Sequence, residues 1–144
     1  RDRPRKKCKM HACTGIDYFI YSRKQWGKIP DFIIGRPGFD NWLIWKARRN
    51  FFSVIDCTDS VKVIHQNHPT KKYYNKEGDI NRKLHGGKTL NILDAKYKLI
   101  GGKINKKNDT EFNIRNLHRL PRIFPELTIF IKLYRRYYKW RLKE

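Results

Sequence analysis

Gly35-Arg36-Pro37-Gly38 places two glycines and a proline within four residues, and neither a helix nor a strand runs through such a stretch. The chain must turn there. Apolar Phe32-Ile33-Ile34 arrives on one side, and Asp40 leaves on the other in good N-cap position for a helix over about Asn41 to Asn50. Trp42, Leu43, Trp45, Ala47 and Phe51 give that helix a broad apolar face, which other parts of the chain have to cover. With 8 Phe, 8 Tyr and 4 Trp the sequence has the material for a packed core, so wholesale disorder is excluded. Its 144 residues suit one domain, or one domain and a tail.

The charge is extreme: 34 Lys+Arg against 13 Asp+Glu, a net +21. Such a chain is attracted to polyanions, whether nucleic acid, anionic lipid or a phosphorylated substrate. Residues 1–9 carry six positive side chains and one negative, and residues 119–144 carry eight against two. The lysines between are scattered, and the chain is also rich in Ile (16) and Asn (10). An A/T-rich coding bias raises Lys, Ile and Asn together without any selected partner, but it leaves the 14 Arg unexplained. No run approaches the ~18–20 apolar residues of a membrane-spanning helix, and no apolar region follows the basic opening Arg1–Lys7. A cytoplasmic chain is expected, with Cys8, Cys13 and Cys57 as free thiols: they are too few and too ill-spaced for a disulfide scaffold or a zinc site.

Along the chain, Asp17–Tyr21 predicts a strand, Val54–Asp56 a buried strand and Val61–His65 another. Residues 69–79 predict a polar loop, and Asp79 can cap a short helix through His85 that Gly86-Gly87 stops. Ala95–Ile100 and Lys103-Ile104 flank Gly101-Gly102 as in a two-residue hairpin. Residues 125–142 predict an amphipathic helix, apolar on one face and basic on the other, with the apolar face packed on the domain. Strands and helices mix, so the class is α/β or α+β.

Two clusters could carry chemistry. In the first, the glycines of 35–38 let backbone N–H groups approach a ligand, Asp40 could take a proton from a hydroxyl, and Arg36 could hold a phosphate. The plainer alternative makes Asp40 a helix cap and Arg36 a solvated cation. In the second, His65-Gln66-Asn67-His68 could contribute one metal ligand, with Asp17, Asp40 or Asp56 as carboxylate partners for a hard ion. A spacing of three on an extended strand points the two His to opposite faces. No serine sits in a nucleophile elbow, and Gly86-Gly87-Lys88-Thr89 lacks the upstream glycine and strand of a phosphate-binding loop.

Gly15-Ile16-Asp17-Tyr18-Phe19-Ile20-Tyr21, Ile34-Gly35-Arg36-Pro37-Gly38-Phe39-Asp40-Asn41-Trp42-Leu43-Ile44, Val54-Ile55-Asp56-Cys57-Thr58 and Ile64-His65-Gln66-Asn67-His68 follow in that order. Together they resemble the C-terminal half of nucleotide-diphospho-sugar transferase-like proteins, glycosyltransferases of the GT-A fold. Phe39 and Cys57 depart conservatively from that pattern, and the match covers about residues 14–68. The resemblance implies a partial GT-A-like mixed sheet with flanking helices, to which the periodicity adds the basic C-terminal helix. The chain then divides into a lead-in (1–13), a transferase-like subdomain (14–105) and, from its own periodicity and charge, a basic helical tail (106–144). Asp40 then matches the catalytic carboxylate; Gly35 and Arg36 border the phosphates; Asp17 lies near the donor sugar; and Asn41 joins the substrate-binding set. His65 or His68 completes the sphere of a divalent metal, Mg or Mn. The D-x-D metal motif of such enzymes occurs nowhere in the chain, so the resemblance implies the acceptor-side half. The implied partners are a nucleotide-sugar donor and a hydroxyl acceptor, with an anionic membrane surface as a further one. RNA bound by a non-enzymatic basic protein is the alternative.

Overall fold

The backbone reverses at Gly35 (φ 73°) and Gly38 (φ 100°), two left-handed positions that only glycine takes without strain. Helix α1 (Phe39–Arg49) starts directly after Gly38. In this computed structural model, which describes residues 12–64 and 74–141, the helix therefore begins two residues earlier than expected. Asp40 is its second residue and not its cap: Gly38 occupies the cap position, with no side-chain cap bond.

Trp42, Leu43, Ile44, Trp45 and Ala47 are all buried, so α1 is the central helix of the fold. Trp26, Leu90 and Ile123 close over it, with Ile16, Phe19, Phe32, Val54 and Phe124 around the margin. Phe32 meets Trp42 edge-on at 5.4 Å, and the Trp45 indole N–H donates to the Arg122 carbonyl at 2.9 Å. Leu43 and Ile44 alone contribute about 1.5–3 kcal/mol each through burial. Ile123 lies in the 106–144 segment yet is fully buried in this same core.

Beyond α1, the chain forms β1 (Ile55–Asp56), α2 (Tyr74–His85), a 3-10 turn at Ile92–Asp94, the hairpin strands β2 (Tyr97–Ile100) and β3 (Lys103–Lys106), and α3 (Thr110–Ile123). A second 3-10 turn, Pro125–Leu127, leads into α4 (Thr128–Arg141). Among the described residues this is a mixed α/β fold of four helices and one three-stranded sheet ordered β1-β2-β3. β1 runs parallel to β2 with Ile55 opposite Tyr97, and β3 returns antiparallel. The hairpin forms as read: Gly101 (φ 54°) and Gly102 (φ 76°) supply the two left-handed positions of its turn.

Several expected elements differ. Residues 17–21 are in no ladder; Phe19 packs on the core margin, while Tyr18 and Ile20 face solvent without a neighbouring strand. Residues 61–64 are likewise outside any strand, with Val61, Val63 and Ile64 exposed, and His65 lies outside the described residues. α2 begins at Tyr74, so Asp79 is an interior residue paired with Arg82 at 2.7 Å and not a cap. Gly78 of this helix faces Pro37, whose Cδ lies 3.5 Å from where a Cβ would stand, an ordinary packing distance. α3 has no counterpart in the periodicity reading. It is capped by Asp109, whose carboxylate accepts the Phe112 N–H at 2.8 Å, and it keeps Pro121 near its end. α3 is held by Asp94, almost fully buried, which pairs with Arg115 (2.7 Å) and Arg119 (3.4 Å), while Arg48 of α1 donates to the Asp94 carbonyl and to Asn116.

α2 is fastened to the turn by Asn81, whose exposure is 0%. Its Oδ1 accepts the Ile33 N–H at 2.8 Å, and its Nδ2 donates to the carbonyls of Ile33 (2.9 Å), Pro37 (3.3 Å) and Arg36 (3.4 Å). Replacing Asn81 by Leu leaves those backbone groups buried without partners, and the expected loss is at least ~2 kcal/mol in urea unfolding. Asn81→Asp keeps the acceptor but loses the donor, so it should fail to rescue. A loss below ~0.5 kcal/mol would show that these groups find other partners.

Candidate active site

The polar residues at the start of α1 are set by three segments that meet there: the turn 35–38, the N-terminal stretch 13–16, and the approach to the 3-10 turn. Asp40 projects from the first turn of α1, and its carboxylate accepts the Asn41 N–H at 2.9 Å and the backbone N–H of Ile16. Burial holds this carboxyl above the ordinary 3.8, and the N–H donors of Asn41 and Ile16 only partly offset it. A carboxylate kept at higher basicity, beside a helix N-terminus, is a competent proton acceptor.

Asn41 is turned inward. Its Nδ2 donates to the Leu90 carbonyl at 2.9 Å, and the Leu90 N–H returns a bond to the Asn41 carbonyl at 3.0 Å. Arg36 is paired with Glu77 of α2, and its Nη1 donates to the Gly35 carbonyl at 3.0 Å. Its guanidinium is mostly buried and braces the turn. Asp17 is exposed, one residue beyond the Ile16 N–H that reaches Asp40. The structure thus brings the segments of Asp17, Gly35, Arg36, Asp40 and Asn41 together. His65 and His68 lie outside the described residues. Among the described residues no three His, Cys, Asp or Glu side chains gather closely enough to hold a metal ion.

Two residues that the sequence reading did not assign shape this end of α1. Glu77 neutralises Arg36, and its only signal was a position four residues before Asn81 on what proves to be one helix face. His85 lies against Gly38 so closely that a Cβ there would come within 2.8 Å of its ring. Its Nδ1 accepts the Gly87 N–H at 3.0 Å, which assigns the proton to Nε2 in the neutral ring. Burial, then the Arg82 charge, lowers its pKa below 6.5. Asp40 lines neither of the two surface clefts formed by α3 (Thr110, Arg115, His118, Arg119) and by α2 (Lys76, Asp79, Lys83).

No known protein family, curated protein or solved structure matches this chain.

The raised pKa of Asp40 has a stability consequence. The folded state holds this proton to higher pH than the unfolded chain. The contribution is therefore fully present below 3.8 and is lost as pH rises through the folded value. Asp40→Asn keeps an acceptor for the N–H groups and has no charge to bury. It is expected to be at least as stable as the parent at pH 7, with the margin shrinking as pH falls toward 3.8. Urea unfolding across that pH range measures it; a loss of ~1 kcal/mol at neutral pH would instead make the Asp40 carboxylate a stabilising charge at the helix N-terminus.

Proposed function

We propose that this chain forms the acceptor side of a glycosyltransferase that moves a sugar from a nucleotide-diphospho-sugar to a hydroxyl, with Asp40 as general base. The observation that carries this reading is the meeting of two sequence-distant motif segments, Gly15–Asp17 and Gly38–Asn41, on one partly desolvated carboxylate. Asp40 takes the proton of the acceptor hydroxyl as its oxygen attacks the anomeric carbon and the nucleoside diphosphate departs. Arg36, with Glu77 and Asn81, keeps the turn in place so that the carboxylate does not have to be ordered during the reaction. The divalent metal and most of the donor site belong to a D-x-D half, to which His65 or His68 would add a ligand. The RNA-binding alternative draws on a different surface, the basic and aromatic helix α4, and leaves the Ile16–Asp40 juxtaposition without a role.

The 144-residue chain alone is expected not to release nucleoside diphosphate from a nucleotide sugar, with or without Mg or Mn. Robust metal-dependent release by it would misplace the donor site. Joined to a D-x-D donor half in an active enzyme, Asp40→Asn should lower turnover by at least ~10²-fold with the fold retained. Unchanged turnover in that folded variant would remove Asp40 from the chemistry.

A further inference from the structure

Helix α4 was expected to bury its apolar face, and it does not. Ile129, Phe130, Leu133, Tyr134, Tyr137 and Trp140 are each more than half exposed, and Ile131 is partly buried. The six recur at helical spacing, so they occupy one continuous arc. Lys132 and Arg136 are exposed on the flank, and the helix has five Lys or Arg and no acidic residue between Thr128 and Arg141. No described helix is long and apolar enough to cross a membrane. An apolar arc bordered by cations is instead the pattern of a helix that lies in the plane of a lipid interface.

We propose that α4 docks the protein on an anionic phospholipid surface, its apolar arc in the acyl boundary and its cations among the headgroup phosphates. Charge decides the occupant. A +21 chain concentrates at a negative bilayer, whereas a second copy brings the same +21 and the same basic flanks. RNA would satisfy the cations and the rings of Tyr137 and Trp140, but it has no use for the exposed aliphatic Ile129 and Leu133. The root of the helix is firm enough to transmit the docking. Arg49 pairs with Glu126 and lies 5.0 Å over the Phe124 ring, on which the exposed Phe51 stacks at 5.1 Å.

This inference is independent of the transferase reading, because its variants leave the Asp40 end of α1 unaltered. The test is co-sedimentation of the whole chain with vesicles of phosphatidylcholine, alone or with a minority of phosphatidylglycerol. Binding is expected to the mixed vesicles and to be much weaker to phosphatidylcholine. Lys132→Gln with Arg136→Gln should weaken it roughly thirtyfold, the effect of two surface charges. Ile129→Ser with Leu133→Ser, both at exposed positions, should weaken it at least ~tenfold at unchanged circular dichroism. The emission of Trp140, obtained by difference from Trp140→Phe, should shift to the blue on mixed vesicles. Absence of vesicle binding, or binding indifferent to the Ile129 and Leu133 changes, overturns the proposal. So does tighter binding to single-stranded RNA that is lost in Trp140→Ala, or self-association abolished by Leu133→Ser, since each gives the face to another occupant.

Discussion

One buried carboxamide sets the geometry around α1. Asn81 donates and accepts across 48 residues of sequence to both backbone groups of Ile33, and reaches on to the carbonyls of Arg36 and Pro37. A turn rich in glycine costs more backbone entropy to fix than most, and here Asn81 ties it to α2 beside the Arg36–Glu77 pair. Everything downstream inherits that choice. Gly38 takes its left-handed conformation, α1 begins at Phe39, and Asp40 is delivered to the Ile16 N–H. Neither Glu77 nor His85 could meet the turn if the Asn81 face of α2 were not already seated on it.

Five arginines of this basic chain join its elements to one another. Arg36, Arg48, Arg49, Arg115 and Arg119 each engage a partner on another element: Glu77, Asn116 and the Asp94 carbonyl, Glu126, and the Asp94 carboxylate twice. A planar guanidinium suits such sites because it can satisfy several acceptors at fixed angles, which an ammonium cannot. The Asp94 carboxylate, being almost fully buried, depends on that arrangement; leaving it unpaired would cost about 3–5 kcal/mol. So five of the 14 Arg that coding bias leaves unexplained are joinery between elements.

The parts legible in the sequence were those with strong local chemistry. The 35–38 turn, the apolar α1, the Gly101-Gly102 hairpin and the Gly86-Gly87 stop each follow from residues that have few other conformations available. The strand expected at 17–21 failed because β-propensity needs a neighbouring strand, and packing of Ile16 and Phe19 on α1 uses the same side chains without one. α3 was missed although it buries Phe112 and Ile123; Pro121 near its end argued against a helix, and its Arg115 and Arg119 pairs with Asp94 are tertiary contacts that no local pattern shows. Asp40 was legible as a candidate but not its environment. Its basicity depends on burial, and its contact with the Ile16 backbone is one that no local pattern encodes.

The exposed strand β3 has a consequence for how the sheet can grow. It is the outer strand, with every residue exposed, and an open edge of this kind is a template for pairing with another chain. Lys103 and Lys106 sit on it, and charged side chains on an edge strand oppose such pairing. The opposite edge, β1, is only two residues long and parallel to its neighbour, with no further strand beside it among the described residues. The two edges of the sheet therefore differ in kind: β3 is exposed and carries lysines, while β1 is short and keeps Asp56 buried.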